Sequence, residues 1–371
     1  MNKVVLSRSK KKVGIRIGGV AIDEVVLYRV KILLESPFTI SLGSQDYYES
    51  VILELHSGDV VGFGEGATIP EITGETPVTM AGAIEYILNR IQGKTFGSLE
   101  DFSESLYRAI QWNTAAKAAI DLAVHDLLAK QAKVHVIALI GGYPITKETS
   151  ITIRLGSVKS TLTELEKYLE AGFKVIKVKV GGEIGTDIQR VKAVGERLGK
   201  SPFYVDANQG YTLPNALKLS KALLDTGALF FEQPLDRNDF DSHRQLRIQS
   251  GVPIMLDESV FSPRDVIEAV RKEAADYVNV KLAKSGGIRE SLKTLATAQA
   301  YGIDAMVGSM VESKLATAAG LAVASAARNV KFTDLDGHTS LVFHPFEGGV
   351  RLAAGMNTLL DGEGLAVSKN F

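Results

Sequence analysis

Three acidic residues each close an apolar run: Phe203-Tyr204-Val205-Asp206, Ala228-Leu229-Phe230-Phe231-Glu232 and Val252-Pro253-Ile254-Met255-Leu256-Asp257. A lysine closes a fourth run, Tyr277-Val278-Asn279-Val280-Lys281, and an earlier one, Phe173 to Val180, carries Lys177 and Lys179. Side chains alternate between the faces of a strand, so Lys177 and Lys179 share one face and Ile176, Val178 and Val180 the other. Taken alone, that strand reads as an edge with solvated lysines. The three acids that follow change the reading. Carboxylates converging on a small volume repel one another, and a hard divalent cation relieves this; oxygen-only ligands favour Mg²⁺ over zinc. The plainer alternative makes each acid a helix N-cap, which suits one acid but not three in register. A cation with lysines on opposite sides suits removal of a proton from carbon next to a carboxylate. A lysine base works best with its pKa lowered from ~10.4 towards ~7–8, and a second lysine and the cation both push Lys179 that way.

These residues need a scaffold that brings strand ends together. From Thr149 onward, short apolar strands alternate with helical segments, with strand centres near Ile153, Val178, Tyr204, Phe230, Met255, Val278, Met306 and Phe332. Eight such units predict an α/β fold, a (β/α)7–8 TIM-type barrel, whose chemistry sits at the C-terminal strand ends. The rival is a doubly wound open sheet. No Gly-x-Gly-x-x-Gly turn follows the first strand, which weakens a dinucleotide-binding version.

Ahead of the barrel, 23–34, 48–55 and a run from Val60 to Phe63 read as strands, with loops at Ser36 to Tyr47 and Gly64 to Thr76. Helical spacing covers 78–92 and 101–132. The expected division is a flexible or weakly ordered extension (1–20), an α+β capping domain (21–147), the barrel (148–336) and a C-terminal segment (337–371). That last segment, with short strands at Leu341-Val342-Phe343 and Gly349 to Leu352, is expected to return to the capping domain.

The 371 residues carry a net charge of −1, so no overall basic field favours nucleic acid. Cysteine is absent, which removes disulfides, thiolate metal sites and Cys nucleophiles. The most apolar early stretch, Val25 to Leu34, contains Arg29 and Lys31 and falls short of the ~20 residues that span a membrane. The basic start (Lys3, Arg8, Lys10, Lys11, Lys12) has no long apolar run behind it, so a signal peptide is not expected. A cytoplasmic enzyme without membrane or nucleic-acid partners is the expectation.

The Lys177-x-Lys179 pair, Asp206-Ala207-Asn208-Gln209-Gly210, Glu232-Gln233-Pro234, Asp257-Glu258-Ser259 and Lys281-x-x-Lys284-x-Gly286-Gly287 together resemble the enolase superfamily, muconate-lactonising branch. For that superfamily a lysine base with Mg²⁺ stabilising an enediolate is the known pattern. The likeness runs through nearly all of the chain after residue 20, including the helix around Ala116 to Asp126. It implies Lys179 and Lys281 as the acid/base pair, with Lys177 supporting the substrate carboxylate and the charge at Lys179. Asp206, Glu232 and Asp257 would hold one Mg²⁺ per subunit, and two loops of the first domain would close over the barrel mouth. A homo-oligomer is common in the family.

Strand seven, Asp304 to Gly308, has no His, unlike the mandelate-racemase branch. The end of strand eight, Thr333-Asp334-Leu335-Asp336-Gly337, resembles the dipeptide epimerases, where an Asp-x-Asp pair holds the substrate's free α-ammonium. The plainer reading of that pair is a turn-forming Asp-Gly with a solvated partner. Thr152 and Asn208 are expected as further substrate contacts. The resemblance thus implies a Mg²⁺-dependent epimerase, an isomerase acting on the α-carbon of a dipeptide's C-terminal residue. Alternatives are an L-Ala-D/L-Glu epimerase, an o-succinylbenzoate synthase or N-acylamino-acid racemase, a muconate cycloisomerase, and a catalytically silent barrel scaffold. Where Ala-Glu epimerases of this family place a cation in the first capping loop, this chain has Gly43. Between Lys31 and Arg90 there is no Lys or Arg, yet nine acids, Asp46 and Glu71 among them. Phe38, Ile40, Leu42, Tyr47 and Ile69 could line an apolar pocket there. The second residue of the substrate is therefore expected to be hydrophobic or basic.

Overall fold

The computed structural model describes residues 4–371. Four antiparallel strands, Val5–Ile17, Val20–Ile40, Gly43–Ser57 and Val60–Ala67, pair in chain order. The first corrects the expected flexible extension, apart from 1–3, which lie outside the described residues. Val13, Ile15 and Ile17 alternate with polar residues and are buried, a period-two pattern hidden behind the basic run. Lys10, Lys11 and Lys12 lie near the sheet margin, where charge discourages further strand pairing.

The loop expected at Ser36 to Tyr47 is instead a hairpin tip. Its register breaks between Leu33 and Phe38 and resumes with Phe38 opposite Gln45 and Ile40 opposite Gly43. Helices at Pro77–Ile91, Leu99–Ala109 and Thr114–Gln131 cover the sheet. The continuous helix expected over 101–132 is split, because Trp112 and Asn113 take left-handed backbone conformations between the two parts. Strand Val60–Ala67 lies so close to the alanine-rich third helix that a Cβ on Gly64 would collide with the carbonyl of Ala119.

Eight parallel strands follow, each but the last paired with its successor: Ser150–Ile153, Val175–Lys179, Phe203–Asp206, Phe231–Glu232, Ile254–Leu256, Tyr277–Lys281, Asp304–Gly308 and Val330–Asp334. All eight fall at the expected centres or next to them. At the seam between eighth and first strand, side chains replace the ladder. Thr149 Oγ1 accepts from the amide of Leu335 (2.8 Å), Ser150 Oγ donates to Asp334 (3.0 Å), and the amide of Thr152 donates to Asp336 (2.9 Å). Inside the barrel, away from the functional end, Tyr204, Phe230, Met255 and Met306 form a separate apolar plug.

The chain's end runs back to the first domain. Phe346–Gly348 pairs with Val367–Lys369, and Val350–Ala353 pairs with Met356–Leu359, which also pairs with Thr146–Glu148. Phe346 packs edge-on against Phe63, and Phe371 against Tyr28. The strand expected at Leu341-Val342-Phe343 is reduced to one bridge between Leu341 and Leu34; Pro345 follows closely and lacks the amide a ladder needs. No helix is long and apolar enough to cross a membrane among the described residues.

Candidate active site

Asp206 and Glu232 end the third and fourth barrel strands, and Asp257 directly follows the fifth. One oxygen from each lies within 4.8 Å of the others, and all three residues are fully buried. The expected trio therefore converges. Lys177 and Lys179 project from the second strand and Lys281 from the end of the sixth, all buried. Lys179 Nζ donates to Asp206 Oδ2 (2.7 Å) and Asn208 Oδ1 (2.8 Å). Lys281 Nζ lies 2.7 Å from Asp257 Oδ2. The two lysines thus flank the carboxylates from different strands and line one cavity.

Lys177 is more embedded than the resemblance implies. Its ammonium lies 2.9 Å from both Asp206 Oδ2 and Glu232 Oε2, and 2.7 Å from Asp334 Oδ2. Burial opposes its charge, but Asp206, Asp334 and Glu232 outweigh this and hold its pKa well above the ordinary lysine value. Burial works against the charge of Asp206 too, and Lys177 and Lys179 overcome it, bringing the carboxyl down to about 2. Glu232 is left with the shortfall: burial and then Asp206 push it up to about 8. Lys281 is raised, because Asp257 outweighs the effect of burial. That is the opposite of what a base needs, so long as Asp257 is its main electrostatic partner.

Glu232 Oε2 and both carboxylate oxygens of Asp257 lie at ion-pair distance from lysines, yet accept no hydrogen bond of adequate geometry. Buried anionic oxygens without hydrogen bonds are costly. A hard cation with oxygen ligands satisfies all three, so the donor set fits Mg²⁺. Around them, Asn279 Nδ2 donates to Glu232 Oε1 (2.7 Å), and Asn208 Nδ2 to Glu258 Oε1 (2.9 Å). Lys284 fixes the fifth strand's end, with its ammonium 3.0 Å from the carbonyls of Val260 and Asn279 and 2.5 Å from Asp257 Oδ1.

The Asp pair sits at the seam. Asp334 ends the strand and Asp336 lies beyond it, so strand periodicity does not align them; the seam contacts do. Asp334 already serves Lys177 and Ser150, whereas Asp336, accepting from Thr152, lines the cavity beside it. Burial and then Asp334 raise the Asp336 carboxyl to about 6. Asn208 lines the cavity, but both ends of its amide are engaged by Lys179 and Glu258.

The hairpin tip reaches over this cavity. Ser41 Oγ lies 2.7 Å from the carbonyl oxygens of both Ala207 and Asn208. Gly181, with φ of 101°, permits the approach: a Cβ there would be 2.6 Å from the Ala207 oxygen and 2.9 Å from Ser41 Cβ. The cavity, about 620 Å³ with its open mouth, has Phe38, Ile40, Ile69 and Ile72 on its cap side. Gly43 is in a second cavity, which shares Phe38, Ile40 and Ile69 with the first and adds Glu49 and Glu71. Leu42 and Tyr47 line neither; Tyr47 lies under the Lys31 ammonium. Arg154 and Tyr168 also line the main cavity and went unread in the sequence. The Thr152-x-Arg154 alternation puts Arg154 on the face of Thr152 but does not by itself mark it as a site residue.

The mandelate racemase / muconate lactonizing enzyme N-terminal domain matches residues 22–141, and the enolase C-terminal domain-like family matches residues 160–370. The chain belongs to the enolase superfamily, in its muconate-lactonising branch. Within it, dipeptide epimerases are prominent among the similar proteins, alongside an N-succinyl-L-Arg/Lys racemase from Bacillus cereus that is 32% identical over 85% of this chain and 87% of that one. A substrate-liganded structure of the L-Ala-D/L-Glu epimerase from Bacillus subtilis superposes with a TM-score of 0.90 at 31% identity, over 96% of this chain and 99% of that one. The dipeptide epimerase from Enterococcus faecalis, complexed with Mg and L-Leu-L-Tyr, superposes with a TM-score of 0.88 at 35% identity, over 93% and 98%. That from Methylococcus capsulatus, complexed with Mg and L-Arg-D-Lys, gives 0.85 at 28%, over 98% and 99%.

Proposed function

We propose that this chain is a dipeptide epimerase that moves a proton off and onto the α-carbon of the substrate's C-terminal residue. One observation carries the reading. Lys179 and Lys281, on the second and sixth strands, approach the carboxylate trio from different sides and face one cavity. Asp206, Glu232 and Asp257 would hold one Mg²⁺ per subunit, which when bound neutralises the charge that develops on the substrate carboxylate. One lysine removes the α-proton and the other returns a proton to the opposite face, so that configuration inverts. Asn208 orients Lys179, Lys177 keeps Asp206 charged, and Asp336 with Asp334 receives the free ammonium.

The second residue is proposed to be hydrophobic or basic. Phe38, Ile40 and Ile69 form an apolar wall leading to Glu71, which has no ion-pair partner among the described residues. Among the described residues no Lys or Arg lines this second cavity to meet a glutamate side chain. The test is a dipeptide library in D₂O with Mg²⁺, read by mass spectrometry. Incorporation at the C-terminal α-carbon is expected for hydrophobic and basic second residues. Absence of exchange with every dipeptide would refute the reading.

A further inference from the structure

Arg154 is the arginine that lines the main cavity. A guanidinium has five N–H donors. Here Nη1 donates to Ser36 Oγ (2.8 Å) and Nη2 to Ser340 Oγ (3.2 Å), while Nε is buried without a partner. The carboxylate of Glu164 comes no nearer than 3.9 Å, and one of its oxygens already accepts from the Arg154 amide. Arg190 and Arg247, also in the barrel, each meet a carboxylate at 3.0 Å or less. Arg154 is thus fastened by two neutral hydroxyls, one from the capping hairpin and one from the 3₁₀ turn Gly337–Ser340 after the eighth strand, with its nearest carboxylate at the far limit of an ion pair.

Its position identifies what completes it. Thr152, two residues earlier, holds Asp336 through its amide, and Ser340 lies four residues after Asp336. Arg154 and Asp336 therefore flank the same end of the cavity, with Tyr168 on the wall. We infer that this end is a subsite for an acyl portion bearing both an ammonium and a carboxylate, the first received by Asp336 and the second by Arg154. This rests on the epimerase reading and assigns its first residue: an acidic amino acid, joined through its α-carboxyl or its side-chain carboxyl. A simple N-succinyl group supplies the carboxylate but leaves Asp336 unanswered.

The experiment compares kcat/KM for deuterium incorporation by the full-length protein with Mg²⁺, using substrates that share a C-terminal leucine. These are L-Glu-L-Leu, γ-L-Glu-L-Leu, L-Gln-L-Leu, L-Ala-L-Leu and N-succinyl-L-Leu. One glutamyl peptide should exceed the glutaminyl peptide by about tenfold or more, the scale of one desolvated charge pair, and which one shows the linkage. Arg154→Gln should bring that ratio to about one, and Arg154→Lys should retain part of it. Poor folding of a variant affects both peptides alike and leaves the ratio intact. Equal rates for glutamyl and glutaminyl peptides, or faster turnover of N-succinyl-L-Leu, would overturn the subsite while leaving epimerisation standing. No exchange with any dipeptide would overturn both.

Discussion

Lys177 donates to Asp334 Oδ2 at 2.7 Å, joining the second barrel strand to the end of the eighth across the first. The same ammonium reaches Asp206 and Glu232, so the carboxylate trio and the Asp pair are one electrostatic unit. Removing Asp334's charge strips Lys177 of one partner of three. Asp334→Asn is expected to cost about 1–3 kcal/mol of stability, less than the ~3–5 kcal/mol of a pair broken outright, because two partners remain. Urea unfolding would measure it. An unchanged midpoint would show that the contact is energetically idle.

The two bases should be separable. Lys179→Ala and Lys281→Ala are each expected to lower epimerisation by about 10²–10⁴-fold. Each variant should retain deuterium exchange with only one substrate epimer, the one whose proton faces the surviving lysine. Near wild-type interconversion by either variant would exclude the assignment.

Glu232→Gln tests the cation. It removes one of three charged ligands but keeps an oxygen that can accept from Asn279 Nδ2 near the same place. Mg²⁺ affinity measured by calorimetry should fall, with little change in melting temperature. Activity surviving exhaustive chelation would dispose of the metal role.

For the ammonium, Asp336→Asn should weaken free-amino dipeptides by ~2–5 kcal/mol in kcat/KM, while N-acetylated analogues, already poor, change little. Equal losses for both would mean that Asp336 only closes the seam through Thr152.

A pH effect is expected from a buried group beside the site, two residues beyond Asp336. Burial, then His344 and Lys314, hold the buried His338 down at about 4 against an ordinary value of 6.5. The unfolded chain therefore binds a proton before the folded one does as pH falls. Stability should decline from about pH 6.5 to about pH 4, by roughly 3 kcal/mol from this group. His338→Gln should flatten that part of the curve in urea titrations at pH 7 and 4.5. A decline of unchanged size would assign it to other groups.

The barrel and its trio could be read in the sequence because parallel strands buried on both faces appear as apolar runs, and a polar residue ending one is conspicuous. The first strand was hidden because Arg8 to Lys12 outweigh the Val13-Ile15-Ile17 alternation, which becomes decisive only once a partner strand buries it. The hairpin tip around Gly43 looked like a loop because Ser36-Pro37 interrupts the pattern. Arg154 was invisible for a different reason. A lone arginine after a short strand says nothing until Ser36 and Ser340, 118 and 186 residues away in sequence, come to hold it.

The break in pairing between Leu33 and Phe38 has a consequence for how such a protein can diversify. A one-residue slip in a regular hairpin turns every later side chain to the opposite face. Here the irregular stretch absorbs the offset, so lengthening or recomposing the segment from Phe38 to Gln45 leaves the sheet below it undisturbed. What the cavity selects can then drift independently of the strand ends that do the chemistry, with the Ser41 anchor as the fixed point to be kept.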